Sequence, residues 1–425
     1  MISRLWLLAV ILAAAAPGGG KLAPAEASGP APAYAWRLPF GFPLPLVPAD
    51  NPMSEAKVAL GRRLFYEPRL SGNATQSCAS CHRPERAFTD GRARARGSTG
   101  MLHPRGSMSL ANVAYNASFT WVDAHVTTLE EQEFGPMLNQ HPVELGMRGR
   151  EGEAVGRLAA DPSYAAAFGR AFPGQPIGLD QVRKAIASFE RTLLSGDSPY
   201  DRLVWQDDAA ALSPAARRGM RLFFSPLLAC ARCHAGFTFS GPVRYAGSAP
   251  ATPVLVDTGL GGAFRAPTLR NVAVTAPYMH DGRFATLEEV VDYYAGGGPP
   301  SPAKSSLLRG FSVSSQDKRD LVEFLASLTD HAFLTDPRFA DPGRAGPLHP
   351  LNPLIGSGRA GWPPPASMAG CSDGAPPLLS RSACATVSSE RSSWRWRSPT
   401  APTRTSAAWR SITSGWSSWV TPSSG

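Results

Sequence analysis

Apolar residues along this chain recur mostly at helical spacing, and no alternating run is long enough to build a major sheet. Ser54 is a candidate N-cap for an amphipathic helix that closes with Gly61-Arg62-Arg63-Leu64-Phe65-Tyr66. Ser213 followed by Pro214 opens a second, which closes with the similar Gly219-Met220-Arg221-Leu222-Phe223-Phe224. The two hexapeptides are an internal repeat. Between them a helix starts at Leu179 and runs to about Leu194, where Ser195-Gly196-Asp197-Ser198-Pro199 breaks it and marks a natural lobe boundary. Later helices fit residues 286–294, with Thr286 and Glu289 as a capping box, and about 315–328. The pattern predicts a mainly α protein of two helical lobes.

The two ends follow other rules. Arg4 and the apolar residues 5–16 form an n-region and an h-region, and Ala25-Glu26-Ala27 gives a small-x-small cleavage site. An apolar run of that length is too short to span a bilayer, and no Cys follows it to carry a lipid. Residues 1–27 are therefore expected to be a signal peptide for export to the periplasm, leaving no stable membrane anchor. Beyond Arg344 the apolar periodicity disappears, and residues 346–425 read as a low-complexity, disordered tail rich in Pro, Ser, Arg and Trp. Cys371 and Cys384 fall in that tail and could pair, though nothing demands it.

Composition alters this picture in one respect. The 425 residues carry 42 Lys+Arg against 33 Asp+Glu, a net of +9. The tail alone holds +5 and six of the ten Trp, and the leader holds +1, so residues 28–345 keep only +3. The basic balance thus gives no reason to expect a nucleic-acid partner. A charged fraction of 18% excludes a highly charged disordered chain, and the lack of any apolar run near 18 residues excludes a multi-span membrane protein.

The chemistry lies in four cysteines. Cys78-Ala79-Ser80-Cys81-His82 and Cys230-Ala231-Arg232-Cys233-His234 are two copies of C-x-x-C-H, the attachment signature of c-type haem. Two intervening residues let both sulfurs reach the vinyl groups of one porphyrin, and the adjacent His becomes the proximal iron ligand. A redox dithiol or a zinc site does not require the trailing His, and no second C-x-x-C lies close by to complete four thiolates. Each copy follows one of the repeat helices. The expectation is two cytochrome-c-like lobes, each with one covalently attached haem, over residues 28–195 and 196–345.

Two further stretches carry a family resemblance. Trp121, then Leu129-Glu130-Glu131-Gln132-Glu133-Phe134-Gly135-Pro136, then Pro142-Val143-Glu144 is similar to the W, L-E-E-Q-x-x-G-P and P-V-E series of the bacterial di-haem cytochrome c peroxidase/MauG superfamily. Phe264-Arg265-Ala266-Pro267-Thr268-Leu269-Arg270-Asn271-Val272 and Ala276-Pro277-Tyr278-Met279-His280-Asp281-Gly282 resemble a second block of the same superfamily. The likeness covers roughly residues 45–341. Its wording is nearer still to the MbnH-type di-haem enzymes of methanobactin gene clusters, through Arg69-Leu70-Ser71-Gly72-Asn73, residues 105–116 and residues 188–198.

The resemblance implies specific roles. Trp121 would bridge the two haems, Gln132 and Pro136 would line the open pocket of the first, and Glu144 would be its acid-base residue. One extra residue between Trp121 and Gln132, and two between Pro136 and Glu144, make the Glu placement less direct. His82 and His234 would be the proximal ligands. Tyr294, fourteen residues beyond His280, would be the distal ligand of the second haem, with Tyr293 as the alternative and Met279 a decoy. A phenolate there favours oxidised iron, whereas the Met of true peroxidases favours reduced iron. Calcium on the carbonyls of Thr275 and Pro277 is also implied, although Gly106 stands where many relatives have Asn. Leu228 occupies the place of the surface Trp through which MauG draws electrons, and His103 lies near the removable distal His of resting peroxidases.

The implied function is peroxide-driven formation of a high-valent, bis-Fe(IV)-like state that oxidises a side chain, Trp to kynurenine, on an MbnP-like partner protein. The alternatives are a peroxidase reducing hydrogen peroxide with electrons from a small cytochrome, and a non-enzymatic di-haem electron carrier.

Overall fold

In the computed structural model, which describes residues 34–343, the helices follow in the order α1 (Glu55–Phe65), α2 (Leu129–Gln132), α3 (Phe134–Leu138), α4 (Glu151–Ala159), α5 (Pro162–Ala171), α6 (Leu179–Glu190), α7 (Pro199–Trp205), α8 (Pro214–Phe223), α9 (Leu287–Ala295), α10 (Ser315–Ala326) and α11 (His331–Leu334). A short antiparallel ribbon of β1 (Leu255–Asp257) and β2 (Ala263–Arg265) is the only sheet among the described residues. No helix among them is long and apolar enough to cross a membrane. The signal-like leader, its cleavage site, Cys371, Cys384 and the Trp-rich tail lie outside the described residues.

Both repeat helices start where the sequence places them. The Ser54 and Ser213 hydroxyls accept the backbone N–H of Lys57 and Ala216 at 3.2 and 3.0 Å, satisfying donors that a helix start otherwise leaves open. Thr286 and Glu289 form the capping box of α9. Each repeat helix buries one stripe: Leu60, Gly61, Leu64 and Phe65 on α1, and Ala216, Gly219 and Phe223 on α8. The stripe of α1 meets α6, and that of α8 meets α10.

The two glycines of the repeat set how closely those helices cross. A Cβ on Gly61 would lie 1.9 Å from the Ala185 carbonyl oxygen, and one on Gly219 would lie 1.9 Å from that of Asp320. Around the crossings lie two cores. The first gathers Leu60, Leu64, Phe65, Ile186 and Phe189, and the second Phe223, Leu321, Phe324 and Leu328. Each buried Leu or Phe contributes about 1.5–3 kcal/mol through removal of apolar surface from water.

Two details differ from the sequence reading. Helix α6 stops at Glu190 rather than near Leu194, because the next residues are drawn into other bonds: the Leu193 carbonyl accepts the Asn112 N–H at 2.8 Å, and the Ser195 N–H reaches Asn112 Oδ1 at 2.9 Å. After α10 the chain returns to the first core, where Phe333, Leu334 and Phe339 are buried and Tyr66 donates to the Phe339 carbonyl at 2.6 Å. The second core therefore draws on residues up to Leu328, and the segment after it completes the first. We retain the two-lobe division at Ser195 as a proposal, with this return segment added to the first lobe.

At that junction the chain is tied rather than loose. Asp330 Oδ2 accepts the Ser195 hydroxyl and the Gly196 and Asp197 N–H groups, while Asn271 Nδ2 donates to Ser195 Oγ at 3.0 Å. Asn112 and Asn271 both adopt left-handed backbone (φ 59° and 60°) and each opens a short 3-10 turn.

Gly219→Ala should lose roughly 1–3 kcal/mol, because α8 and α10 must separate to admit the methyl group. Gly156→Ala on α4, where an added Cβ meets nothing within 4 Å, should gain roughly 0.5–1 kcal/mol from reduced chain entropy. Denaturant midpoints and slopes compare the two, and equal stability of the pair would contradict the close-crossing account.

Candidate functional site

The first C-x-x-C-H sits on a single 3-10 turn, Cys78–Ser80, in which Cys81 N–H and His82 N–H both return to the Cys78 carbonyl. His82 Nδ1 lies 2.7 Å from the Phe88 carbonyl oxygen. A carbonyl can only accept, so Nδ1 carries the proton and Nε2 keeps its lone pair. Presenting that carbonyl requires left-handed backbone at Ala87 and Phe88 (φ 48° and 63°), which costs about 1–2 kcal/mol per residue. The Ser109 hydroxyl donates to the Ala87 carbonyl at 2.7 Å and helps to hold the bend.

The second copy repeats the device. Cys230–Arg232 form the turn, and His234 Nδ1 lies 3.1 Å from the Pro267 and 3.3 Å from the Phe239 carbonyl oxygens. Phe239 is again left-handed (φ 50°). Arg270 secures this loop: its guanidinium, fully buried, donates twice to the Phe237 carbonyl and pairs with buried Asp201.

Tyr294, on the last turn of α9, lies within electrostatic reach of Cys230 and Cys233. Burial pushes its phenol well above the usual range, and its hydroxyl makes no hydrogen bond to the described residues. The neighbouring Tyr293 differs, since its hydroxyl donates to the Thr258 carbonyl at 2.6 Å.

Trp121 joins the two halves. Its indole N–H donates to the Gly106 carbonyl at 3.1 Å, and its own carbonyl accepts the Arg265 N–H at 2.9 Å. Beside it His280 stacks on Phe264 with ring centres 3.9 Å apart, and the His280 carbonyl accepts the Gly106 N–H. Thr275 and Pro277 stand on either side of Ala276, which joins Pro277 through a cis peptide bond, and the Thr275 hydroxyl donates to the Val272 carbonyl at 3.0 Å.

On the first side Glu144 lies within electrostatic reach of Cys81. Burial pushes its carboxyl up to about 7. His103 Nε2 lies 3.8 Å from Glu144 Oε1, while His103 Nδ1 is engaged with the Arg105 backbone at 3.1 Å. Pro136 anchors the adjoining loop by accepting the Leu145 N–H at 2.8 Å. Gln132 ends α2, half-buried, with no hydrogen bond to its side-chain amide among the described residues.

Several groups went unassigned in the sequence reading. Arg265 is only 8% exposed, and among the described residues no carboxylate pairs with it and its Nε has no acceptor. Burial pulls its pKa down to about 10. Arg92, Arg94 and Arg96 line a cavity of about 500 Å³ that adjoins the first site through Arg96. Glu133 and Glu190 form a buried carboxyl pair near Cys78. The shared Leu-x-Asn-Val-Ala of residues 110–114 and 269–273 was a visible signal for the paired asparagines. Nothing local marks the carboxyl pair, because its members are far apart in sequence.

These features fit a haem at each C-x-x-C-H. The Cys and His side chains are surrounded by protein yet remain partly uncovered, as cavity walls are. Burial pushes the thiols up, Cys81 and Cys230 to about 11, as expected of cysteines set in a largely apolar wall. An unpaired buried cation such as Arg265, and the arginine-lined cavity, offer places for acidic propionates.

The comparisons agree with this chemistry. The family model for di-haem cytochrome c peroxidase matches residues 55–209. The methylamine utilization protein MauG of Methylorubrum extorquens is 37% identical over 66% of this chain and 80% of its own length. The cytochrome-c peroxidase IdrP1 of Denitromonas iodatirespirans is 35% identical over 80% of this chain and 94% of its own. Among solved structures, a MauG-like protein associated with microbial copper homeostasis aligns with a TM-score of 0.70 at 39% identity, over 73% of this chain and all of that one.

Arg270→Leu should cost about 3–5 kcal/mol, since it strands Asp201 as an uncompensated buried charge. The double variant with Asp201→Leu should recover part of that loss, read from denaturant unfolding. If the single variant is as stable as the parent, Arg270 does not anchor the His234 loop.

Proposed function

The chain belongs to the di-haem cytochrome c peroxidase family, whose members are hydrogen-peroxide-using oxidoreductases with two c-type haems, and from that premise we propose that this member is MauG-like and oxidises a side chain, Trp to kynurenine, on a docked partner protein. The observation that carries the reading is Tyr294. Its hydroxyl makes no hydrogen bond to the described residues and lies within electrostatic reach of Cys230 and Cys233, whereas that of Tyr293 is committed to Thr258.

Cys78 and Cys81 would hold the first haem and Cys230 and Cys233 the second, with His82 and His234 presenting Nε2 to the irons. When bound, the haems supply peroxide cleavage and storage of its two oxidising equivalents. Glu144, ionised, takes a proton from one peroxide oxygen and returns it to the other. Gln132 and Pro136 shape that pocket and limit what reaches it. Trp121, bonded to Gly106 on one side and Arg265 on the other, is the conduit between the two centres. Tyr294 holds the second centre in its oxidised form. The likeness to MauG supports a partner protein, and the resemblance of the sequence to MbnH-type enzymes makes an MbnP-like one our reading.

A second reading, reduction of peroxide with electrons from a small cytochrome, is favoured by the likeness to the cytochrome-c peroxidase IdrP1. Family membership sets aside the inert electron carrier. Export to the periplasm rests on the leader. Calcium is proposed only as a weakly held ion, because Thr275 and Pro277 offer neutral carbonyls and Gly106 brings no side-chain oxygen; no step depends on it.

Tyr294→Met should change the optical and EPR signature of the second haem alone and favour turnover with reduced cytochrome over oxidation of a protein side chain. An unaltered axial spectrum would sink the ligand assignment. Glu144 acts as a base only when ionised, so the peroxide reaction should rise with pH through about 7 and level off above it. Glu144→Gln should slow that reaction by about 10²–10⁴-fold and abolish the rise, measured by stopped-flow absorbance.

A further inference from the structure

Glu133, between α2 and α3, and Glu190, the last residue of α6, are 1% and 4% exposed. Glu133 Oε1 and Glu190 Oε2 are buried and have no hydrogen-bond partner among the described residues. The two carboxyls act directly on one another. Two carboxylates side by side in the interior repel, so one of them is held protonated. Arg191, which follows Glu190, gives Nη2 to Glu130 Oε2 at 2.5 Å and leaves its buried Nη1 without a hydrogen-bond partner, and Glu130 takes a second bond from Asn51 at 2.6 Å. The charge of Arg191 is thus largely matched by Glu130 and leaves the pair without a full counter-ion.

The surroundings reinforce this. Burial is the main cause that pushes both carboxyls above their usual range, and for Glu133 the nearness of Glu190, Glu130 and Glu144 adds to it. Arg191 acts in the opposite sense on Glu190. Lys57 on α1 reaches Asn51 Oδ1, and Arg183 on α6 donates to the Glu130 carbonyl, so the cations of both packed helices are engaged one layer out. Both glutamates act electrostatically on Cys78, and Glu133 also senses Glu144. The pair therefore lies within electrostatic reach of the point of haem attachment and of Glu144.

We propose that Glu133 and Glu190 are a proton-holding pair, one proton shared by two carboxyls, whose charge is coupled to the haem joined at Cys78 and Cys81. With one proton the pair carries a single negative charge, and with two it is neutral. An electron entering that haem from an external one-electron donor favours uptake of the second proton from water, and loss of the electron favours its release. The net charge of the region then stays constant across the redox step. Reduction of hydrogen peroxide to two waters consumes two electrons and two protons, and the pair supplies one of those protons from inside the protein while solvent supplies the other.

The coupling rests on haem attachment at Cys78 and Cys81, but the shared proton does not depend on any reaction with peroxide. The diferric holoprotein at neutral pH should show an infrared carbonyl stretch of a protonated carboxylic acid that moves on transfer to D₂O. Glu133→Gln and Glu190→Gln should each remove or displace that band. The midpoint potential of the first haem should fall with rising pH while the pair loses its second proton, and level off above that range. In Glu133→Gln the remaining carboxyl should titrate at lower pH, and the slope near neutrality should be lost. Absence of the band in the parent protein, which needs no variant to fold, overturns the proposal, as does a slope that survives both substitutions. A protein inert to peroxide that keeps the band and the slope would instead overturn the peroxide reading and leave the pair standing.

Discussion

The relation between the two halves depends on a buried polar knot around Ser195. Four residues from distant parts of the chain converge on it: Asn112, Asn271, Asp330 and Ser195 itself, all 3% exposed or less. The two asparagines occupy equivalent places in the repeated Leu-x-Asn-Val-Ala, and both use left-handed backbone to turn their amides inward. Asn112 binds the Ser195 backbone on one side, Asn271 binds its hydroxyl on the other, and Asp330 closes the knot with three bonds. Buried polar groups of this kind are costly unless every partner is present, so the knot specifies one arrangement of the halves rather than a range. Trp121 gains from that arrangement, because its two hydrogen bonds reach backbone groups on opposite sides of the junction.

The same economy of backbone carbonyls recurs at each histidine. In both copies the imidazole Nδ1–H is taken by a carbonyl that the chain must bend into left-handed conformation to offer. The strain of that bend is held by neighbours: Ser109 at the first copy, and Arg270 through Phe237 at the second. Orientation of the ring and choice of tautomer are thereby set by main-chain geometry, and a substitution at Arg270 acts on His234 without touching it.

The sequence made the local features legible. Helix starts follow from Ser54, Ser213 and Thr286 because a cap needs only residues three apart, and C-x-x-C-H is itself a local motif. The spacing from His280 led to Tyr294, and the hydrogen bond that occupies Tyr293 is a tertiary fact with no sequence signature. What stayed hidden depends on distant pairing. Asp330 returns to the junction, residues 333–339 return to the first core, and Glu133 meets Glu190 only after α6 packs beside the loop that follows α2. The early end of α6 belongs to the same class, since Asn112 competes for the backbone that would have extended the helix.

The two sites differ in their access to protons, and that difference gives the molecule its direction. Around the first lie Glu144 and the Glu133–Glu190 pair, carboxyl groups that burial has pushed above their usual range, Glu144 to about 7. Around the second, Tyr294 is the acidic group within reach of the cysteines, and burial moves its phenol away from that range. Bond cleavage that requires proton movement is therefore supported on the first side, while on the second, under the proposed ligation by Tyr294, an oxygen ligand would hold charge on iron. With Trp121 as the proposed conduit, this division would assign proton chemistry and electron storage to separate centres. A substitution that perturbs one can then be recognised by leaving the spectroscopic signature of the other unchanged.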